Sequence, residues 1–142
     1  ELSRAGRTGR WVLLAVAASL VVAGLFAQDP VTAGPDELTL HGSIHAIASM
    51  IGIPGVPLAA LLISHGLPKR DPAWNRHRTL VLVAAHLTWL SLLAMAAYFG
   101  WAVPRAGGFN AEVWAGWMNR IVVATYLAWQ ATIAWALRRT AA

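Results

Sequence analysis

Four long apolar stretches alternate with short polar segments along this chain. They cover approximately residues 11–27, 44–64, 80–100 and 114–137. Each stretch approaches or exceeds the roughly 20 residues that a helix needs to cross about 30 Å of hydrocarbon. The pattern therefore predicts an all-α fold, a transmembrane helical bundle that crosses the membrane four times and forms a single domain over residues 1–142.

The composition agrees with a membrane protein rather than a soluble one. Hydrophobic residues make up 58% of the chain and charged residues only 12%, which is about half the charged fraction usual for soluble domains. The absence of Cys excludes disulfides and thiolate metal sites. The formal net charge is +5, and the positions of the basic residues explain it without a nucleic-acid partner.

The basic residues are concentrated in the N-terminal segment, the loop between the second and third stretches, and the C-terminal segment. Nine of the 11 Lys and Arg lie there: Arg4, Arg7, Arg10, Lys69, Arg70, Arg76, Arg78, Arg138 and Arg139. The two other loops contain one basic residue, Arg105, with Asp29, Asp36, Glu37 and Glu112. The positive-inside rule then predicts a multi-pass protein of the inner (plasma) membrane with both termini in the cytoplasm. Membrane lipids are the expected partners, because basic residues attract anionic headgroups.

Polar residues near the outer ends of the predicted helices are the candidates for function. His41 and His45 are four residues apart, so they lie on one face of the second helix. Asp29 follows the first helix, and Asn119 and Arg120 lie inside the fourth. We expect these residues to form a polar or ligand-binding cluster if helices one, two and four are neighbours, because a charge in hydrocarbon requires partners.

Three interpretations of this cluster are open. In the first, Asp29, His41 and His45 are three ligands of a zinc ion, and water takes the fourth position. In the second, Asp, His and Arg side chains form a structural polar cluster that holds helices together, and no cofactor is needed. In the third, the cluster binds a lipid headgroup or a small ligand. Arg120 favours the second and third interpretations over the first, because a cation repels a metal ion and suits a carboxylate or an anionic headgroup.

The second apolar stretch contains two prolines. Pro54 and Pro57 lack the N–H groups that would bond the carbonyls of Met50 and Ile53. We expect a kink or a widened turn near the middle of the membrane. Such a turn adjusts helix packing in the simpler case, and in a transporter it lines a cavity.

A haem site with two histidine ligands would need two imidazoles at similar depth in the membrane. His65 and His86 are two further histidines to consider for it. His45 lies near the outer face of the predicted bundle and His86 near the inner face, so this pair fits poorly. His65 and His86 are closer in depth, although His65 lies at a helix end.

Several segments resemble a known group of membrane proteins. The stretches "LFAQDP", "TLHGSIHAIAS", "PLAALLIS" and "GWMNRIVVATYLAW" are similar to small prokaryotic membrane proteins of domain-of-unknown-function family 998 (DUF998). The resemblance implies a six-helix fold, of which this chain corresponds to the last four helices. The matching motif positions are Phe26, Asp29 and Pro30, then His41, Gly42 and His45, then Asn119 and Arg120. Asn119 departs from the acidic residue that precedes the arginine in the family pattern.

The resemblance implies a membrane fold and a polar site but no settled activity. The sequence favours a non-catalytic protein, either a lipid- or ligand-binding protein or an accessory subunit that contacts other membrane helices. The alternative is a zinc-dependent hydrolase that acts on lipid at the outer leaflet. It rests on a looser similarity to ceramidases and adiponectin receptors, which use Ser, Asp and His-x-x-x-His around intramembrane zinc. A small transporter is the third hypothesis, supported by the two prolines.

Overall fold

The computed structural model describes residues 3–67 and 72–140, and these form four long α-helices. They are α1 (Arg4–Leu25), α2 (Leu40–Gly66), α3 (Pro72–Arg105) and α4 (Ala115–Thr140), with a short 3-10 helix, Pro35–Glu37, between α1 and α2. The all-α prediction is confirmed. Each helix is longer than the apolar stretch that predicted it, because the hydrophobic pattern does not register polar first and last turns.

Hydroxyl side chains fix the beginnings of α1 and α2. Ser3 Oγ accepts a hydrogen bond from the Gly6 N–H (3.3 Å), and Thr39 Oγ1 accepts one from the Gly42 N–H (3.0 Å). Both residues occupy the N-cap position of their helix. A cap of this kind satisfies an N–H group that has no partner inside the first turn.

Three of the helices are long and apolar enough to cross a membrane, namely Arg4–Leu25, Leu40–Gly66 and Trp74–Arg105. The fourth predicted span, α4, is not one of them. It carries Asn119, Arg120 and Gln130 within its length, and Arg138 and Arg139 in its last turn. These residues lower its mean hydropathy. The lengths and hydropathy of α1, α2 and α3 are those of a multi-pass membrane protein.

The helices pack largely in sequence order. α1 lies against α2, α2 against α3 and α3 against α4, and α4 also touches α2. Where α1 begins and α2 ends, the Ser3 N–H donates to the Gly66 carbonyl (3.2 Å). Next to this point Leu67, Trp74 and Ala136 pack into one buried cluster. The start of α1, the end of α2, the start of α3 and the end of α4 therefore meet at one end of the bundle, which we call the basic end.

Small residues bring the backbones of α1 and α2 close together. A Cβ added at Gly66 would overlap the backbone of Gly6, and one added at Gly9 would come within 2.9 Å of a backbone nitrogen of α2. Near the middle of the pair, a Cβ at Gly55 would collide with the Val16 side chain. Helices in lipid gain little from hydrophobic burial, so close van der Waals contact between small residues holds such a pair together.

The core between α2 and α4 contains two hydrogen bonds to buried or half-buried groups. Trp129 is 1% exposed, and its Nε1–H donates to Ser64 Oγ (3.2 Å). The Tyr126 hydroxyl donates to the Ile53 carbonyl (2.6 Å), which is the carbonyl that Pro57 leaves without its helical partner. α2 is helical throughout both of its prolines, so the freed carbonyl is satisfied without an interruption of the helix.

Candidate functional site

Asp29 lies in the loop after α1 and binds the beginning of α2. Its two carboxylate oxygens accept hydrogen bonds from the Thr39 backbone N–H (2.9 Å) and the Thr39 hydroxyl (2.7 Å). The backbone N–H, and then the hydroxyl, stabilise the anion and hold the pKa of the Asp29 carboxyl below its usual range. A negative charge at this place also suits the positive end of the α2 dipole.

Gly42 permits this contact between Asp29 and Thr39. A Cβ at position 42 would overlap the Asp29 carboxylate. Gly42 is buried, and its own N–H donates to the Thr39 hydroxyl oxygen. The glycine of the His-Gly-x-x-His segment is therefore explained by the close approach of a carboxylate to the first turn of α2.

His45, in the second turn of α2, forms hydrogen bonds to the end of α1. Its Nδ1 lies 2.8 Å from the Ala23 carbonyl oxygen and 3.1 Å from the Phe26 carbonyl oxygen. Both oxygens are acceptors, so Nδ1 carries the proton and donates to them. The last carbonyls of a helix have no N–H partner within it, and His45 supplies one from α2.

The end of α1 and the beginning of α2 thus cap each other. The loop after α1 caps the beginning of α2 through Asp29, and α2 caps the end of α1 through His45. We call Asp29, Thr39, Gly42 and His45 the capping cluster. It lies at the end of the α1–α2 pair opposite the basic end, and its geometry fixes where α1 ends and where α2 begins.

His41 lies beside the capping cluster without a hydrogen bond to it in the described structure. Its exposed ring meets the Phe26 ring edge-on, with centroids 5.4 Å apart. No group of three or more His, Asp or Glu in residues 3–67 and 72–140 is placed to hold a metal ion. The three candidate zinc ligands Asp29, His41 and His45 are neighbours in the fold but do not form such a group.

Asn119 and Arg120 lie on α4, which contributes no residue to the capping cluster. Both are exposed, and α1 packs chiefly on α2. The Arg120 guanidinium lies over the Trp117 ring, 5.4 Å from its centroid, a cation–π contact within its own helix. Among the described helices, the backbone of α4 approaches that of α2 at a few positions and does not approach that of α1. The grouping of Asp29, His41, His45, Asn119 and Arg120 around one site stays a prediction.

Thr39 and Tyr126 form hydrogen bonds between separate parts of the fold, although neither was among the candidate residues predicted from the sequence. Thr39 had a usable signal, since a threonine directly before an apolar helical run is a common N-cap. Tyr126 had none, because its acceptor, the Ile53 carbonyl, lies 73 residues earlier in the chain.

The chain is similar to a known protein family over nearly its whole length. A family model described as "Protein of unknown function (DUF998)" matches residues 2–136. The chain belongs to the DUF998 family. No curated protein and no solved structure matches it. In this DUF998 protein, the Phe-x-x-Asp-Pro and His-Gly-x-x-His segments supply the two sides of the capping cluster.

Proposed function

We propose that this DUF998 protein is a non-catalytic membrane component, a lipid-contacting or accessory subunit of a membrane assembly. One observation carries the proposal: both Asp29 oxygens bond Thr39 and His45 Nδ1 bonds the end of α1, so Asp29 and His45 each cap a helix end. Capping gives Asp29 and His45 a structural role at the ends of two helices, and this role needs neither a metal ion nor a substrate.

The outer faces of the helices support contact with lipid or with other membrane helices. Each of the four helices exposes large apolar side chains, for example Leu14, Met50, Leu90 and Trp117. α1 packs chiefly on α2, and much of its apolar surface is exposed and available to lipid chains or to a partner. In a prokaryotic six-helix protein whose last four helices correspond to this chain, two further helices would be candidates for that place.

We also propose that both termini lie on the cytoplasmic side and that α4 crosses the membrane with the other three helices. The collection of basic segments at one end of the bundle supports this orientation. The chain has no Cys, so single cysteines report on topology without background. Thr32→Cys, between α1 and α2, should react with a membrane-impermeant maleimide in intact cells. Asn75→Cys, at the basic end, should react only after permeabilisation, and the reverse pattern would invert the topology.

Metal content separates the proposed function from a zinc-dependent hydrolase. The experiment compares zinc per chain and thermal unfolding for the parent protein, His41→Ala and His45→Ala. We expect no zinc that depends on His41, a lower Tm for His45→Ala because the α1 carbonyls lose their donor, and little change for His41→Ala. About one zinc per chain that is lost in both variants, as three-ligand sites require, would contradict the proposal and favour the hydrolase.

A further inference from the structure

A second pair of histidines meets near the basic end of the bundle. His65 lies in the last turn of α2, and His86 lies in α3. Their ring centroids are 6.0 Å apart and the ring planes are inclined by 66°. Both side chains are exposed. The two imidazoles therefore come from different helices and are accessible from outside the fold.

Each imidazole is anchored by a carbonyl of its own helix. His65 Nδ1 lies 3.0 Å from the Leu61 carbonyl oxygen, and His86 Nδ1 lies 2.7 Å from the Leu82 carbonyl oxygen. A carbonyl only accepts, so each Nδ1 carries a proton and each neutral ring keeps the lone pair on Nε2. Histidines that bind metals are typically oriented in this way, by a hydrogen bond from the other ring nitrogen to a backbone carbonyl or carboxylate.

The separation of the rings fits two imidazoles on one ion. Metal–nitrogen bonds of about 2.0–2.1 Å place the centroids of two such rings about 5–6 Å apart, and the centroids of His65 and His86 are 6.0 Å apart. Imidazole nitrogen suits zinc, nickel and copper. No third His, Asp or Glu joins the pair in the part of the chain that the structure describes, so water would complete the coordination.

We propose that His65 and His86 form a two-histidine site for a divalent first-row transition-metal ion, bound through the two Nε2 atoms. The ion links the last turn of α2 to α3 and so stabilises the contact between these helices. Anything that binds the folded state and not the unfolded one raises the free energy of unfolding. The site is independent of the capping cluster, which lies at the other end of α2.

The test uses detergent-purified protein that has been stripped with EDTA and then titrated with Cu²⁺ or Zn²⁺. We expect one ion per chain, a Cu²⁺ paramagnetic resonance spectrum with nitrogen ligands, and a higher Tm with Zn²⁺. His65→Gln and His86→Gln should each weaken binding on the order of a hundredfold, because the second of two linked ligands binds at a high effective concentration.

Two other histidines provide matched controls. The His77 ring contacts Trp135, and the His41 ring contacts Phe26, so His77→Gln and His41→Gln should bind the ion as the parent does. The proposal is overturned if the parent binds no ion, if binding survives both His65→Gln and His86→Gln, or if a control variant loses as much affinity. Zinc that is lost with His41 or His45 instead would count against the proposed function and not in favour of this site.

Discussion

The Tyr126 hydroxyl on α4 donates a 2.6 Å hydrogen bond to the Ile53 carbonyl on α2. Pro57 creates this free acceptor, because its nitrogen has no hydrogen to give to the carbonyl four residues earlier. Unpaired backbone groups are costly in hydrocarbon. A side chain from another helix therefore completes the backbone hydrogen bonding of α2 and at the same time ties α4 to it.

Tyr126→Phe should lower the free energy of unfolding by about 1–2 kcal/mol, because the Ile53 carbonyl loses its donor. Pro57→Ala restores an N–H at position 57 and offers that carbonyl a helical partner. Unfolding measurements in detergent on both single variants and the double variant form a cycle. Tyr126→Phe should cost less in the Pro57→Ala background, and an equal cost in both backgrounds would show that the hydroxyl acts elsewhere.

Gly42→Ala should lower the Tm, because the new methyl group overlaps the Asp29 carboxylate and displaces it from Thr39. Gly24→Ala is the matched control on α1, since a Cβ there meets nothing within 4 Å and alanine favours a helix. Removal of the colliding group should relieve the effect, so Gly42→Ala should cost less in the Asp29→Ala background. A Tm for Gly42→Ala equal to that of the Gly24→Ala control would exclude the collision.

Asp29 should make the stability of the protein depend on acid pH. Hydrogen bonds from Thr39 lower the pKa of this carboxyl in the folded state, so the stabilisation is fully present above its unfolded pKa of about 4. It is lost as the pH falls through the folded pKa. The Tm difference between the parent and Asp29→Asn should therefore be constant near neutral pH and narrow below about pH 4. A difference that does not change in acid would contradict this assignment.

Gly66→Ala should destabilise the α1–α2 pair by about 1–3 kcal/mol, the usual cost of overpacking. The added methyl would overlap the backbone of Gly6, and a backbone cannot rotate out of the way as a side chain can. Gly100→Ala on α3 is the control, because nothing lies within 4 Å of a Cβ there. Thermal unfolding of both variants tests the prediction, and equal Tm values would show that α1 and α2 tolerate a wider separation.

Much of the capping cluster is local in the chain and had a signal in the sequence. Asp29 before Pro30, Thr39 before an apolar run, and Gly42 three residues after Thr39 all lie within one short segment. Hydrogen bonds across such short distances are specified by neighbouring residues. The position of Arg120 relative to Asp29 had no such signal, because depth in the membrane can be inferred from position in a helix but the identity of the neighbouring helix cannot.

The sequence by itself determined that this protein has four helices of membrane-spanning or similar length, because long apolar segments in lipid have one way to satisfy their backbone groups. Only the tertiary structure decided that α1 packs chiefly on α2, that Tyr126 reaches Ile53, and that His65 meets His86. These contacts depend on how the faces of separate helices fit together in three dimensions. A one-dimensional pattern of residues records what each face contains but not which face it meets.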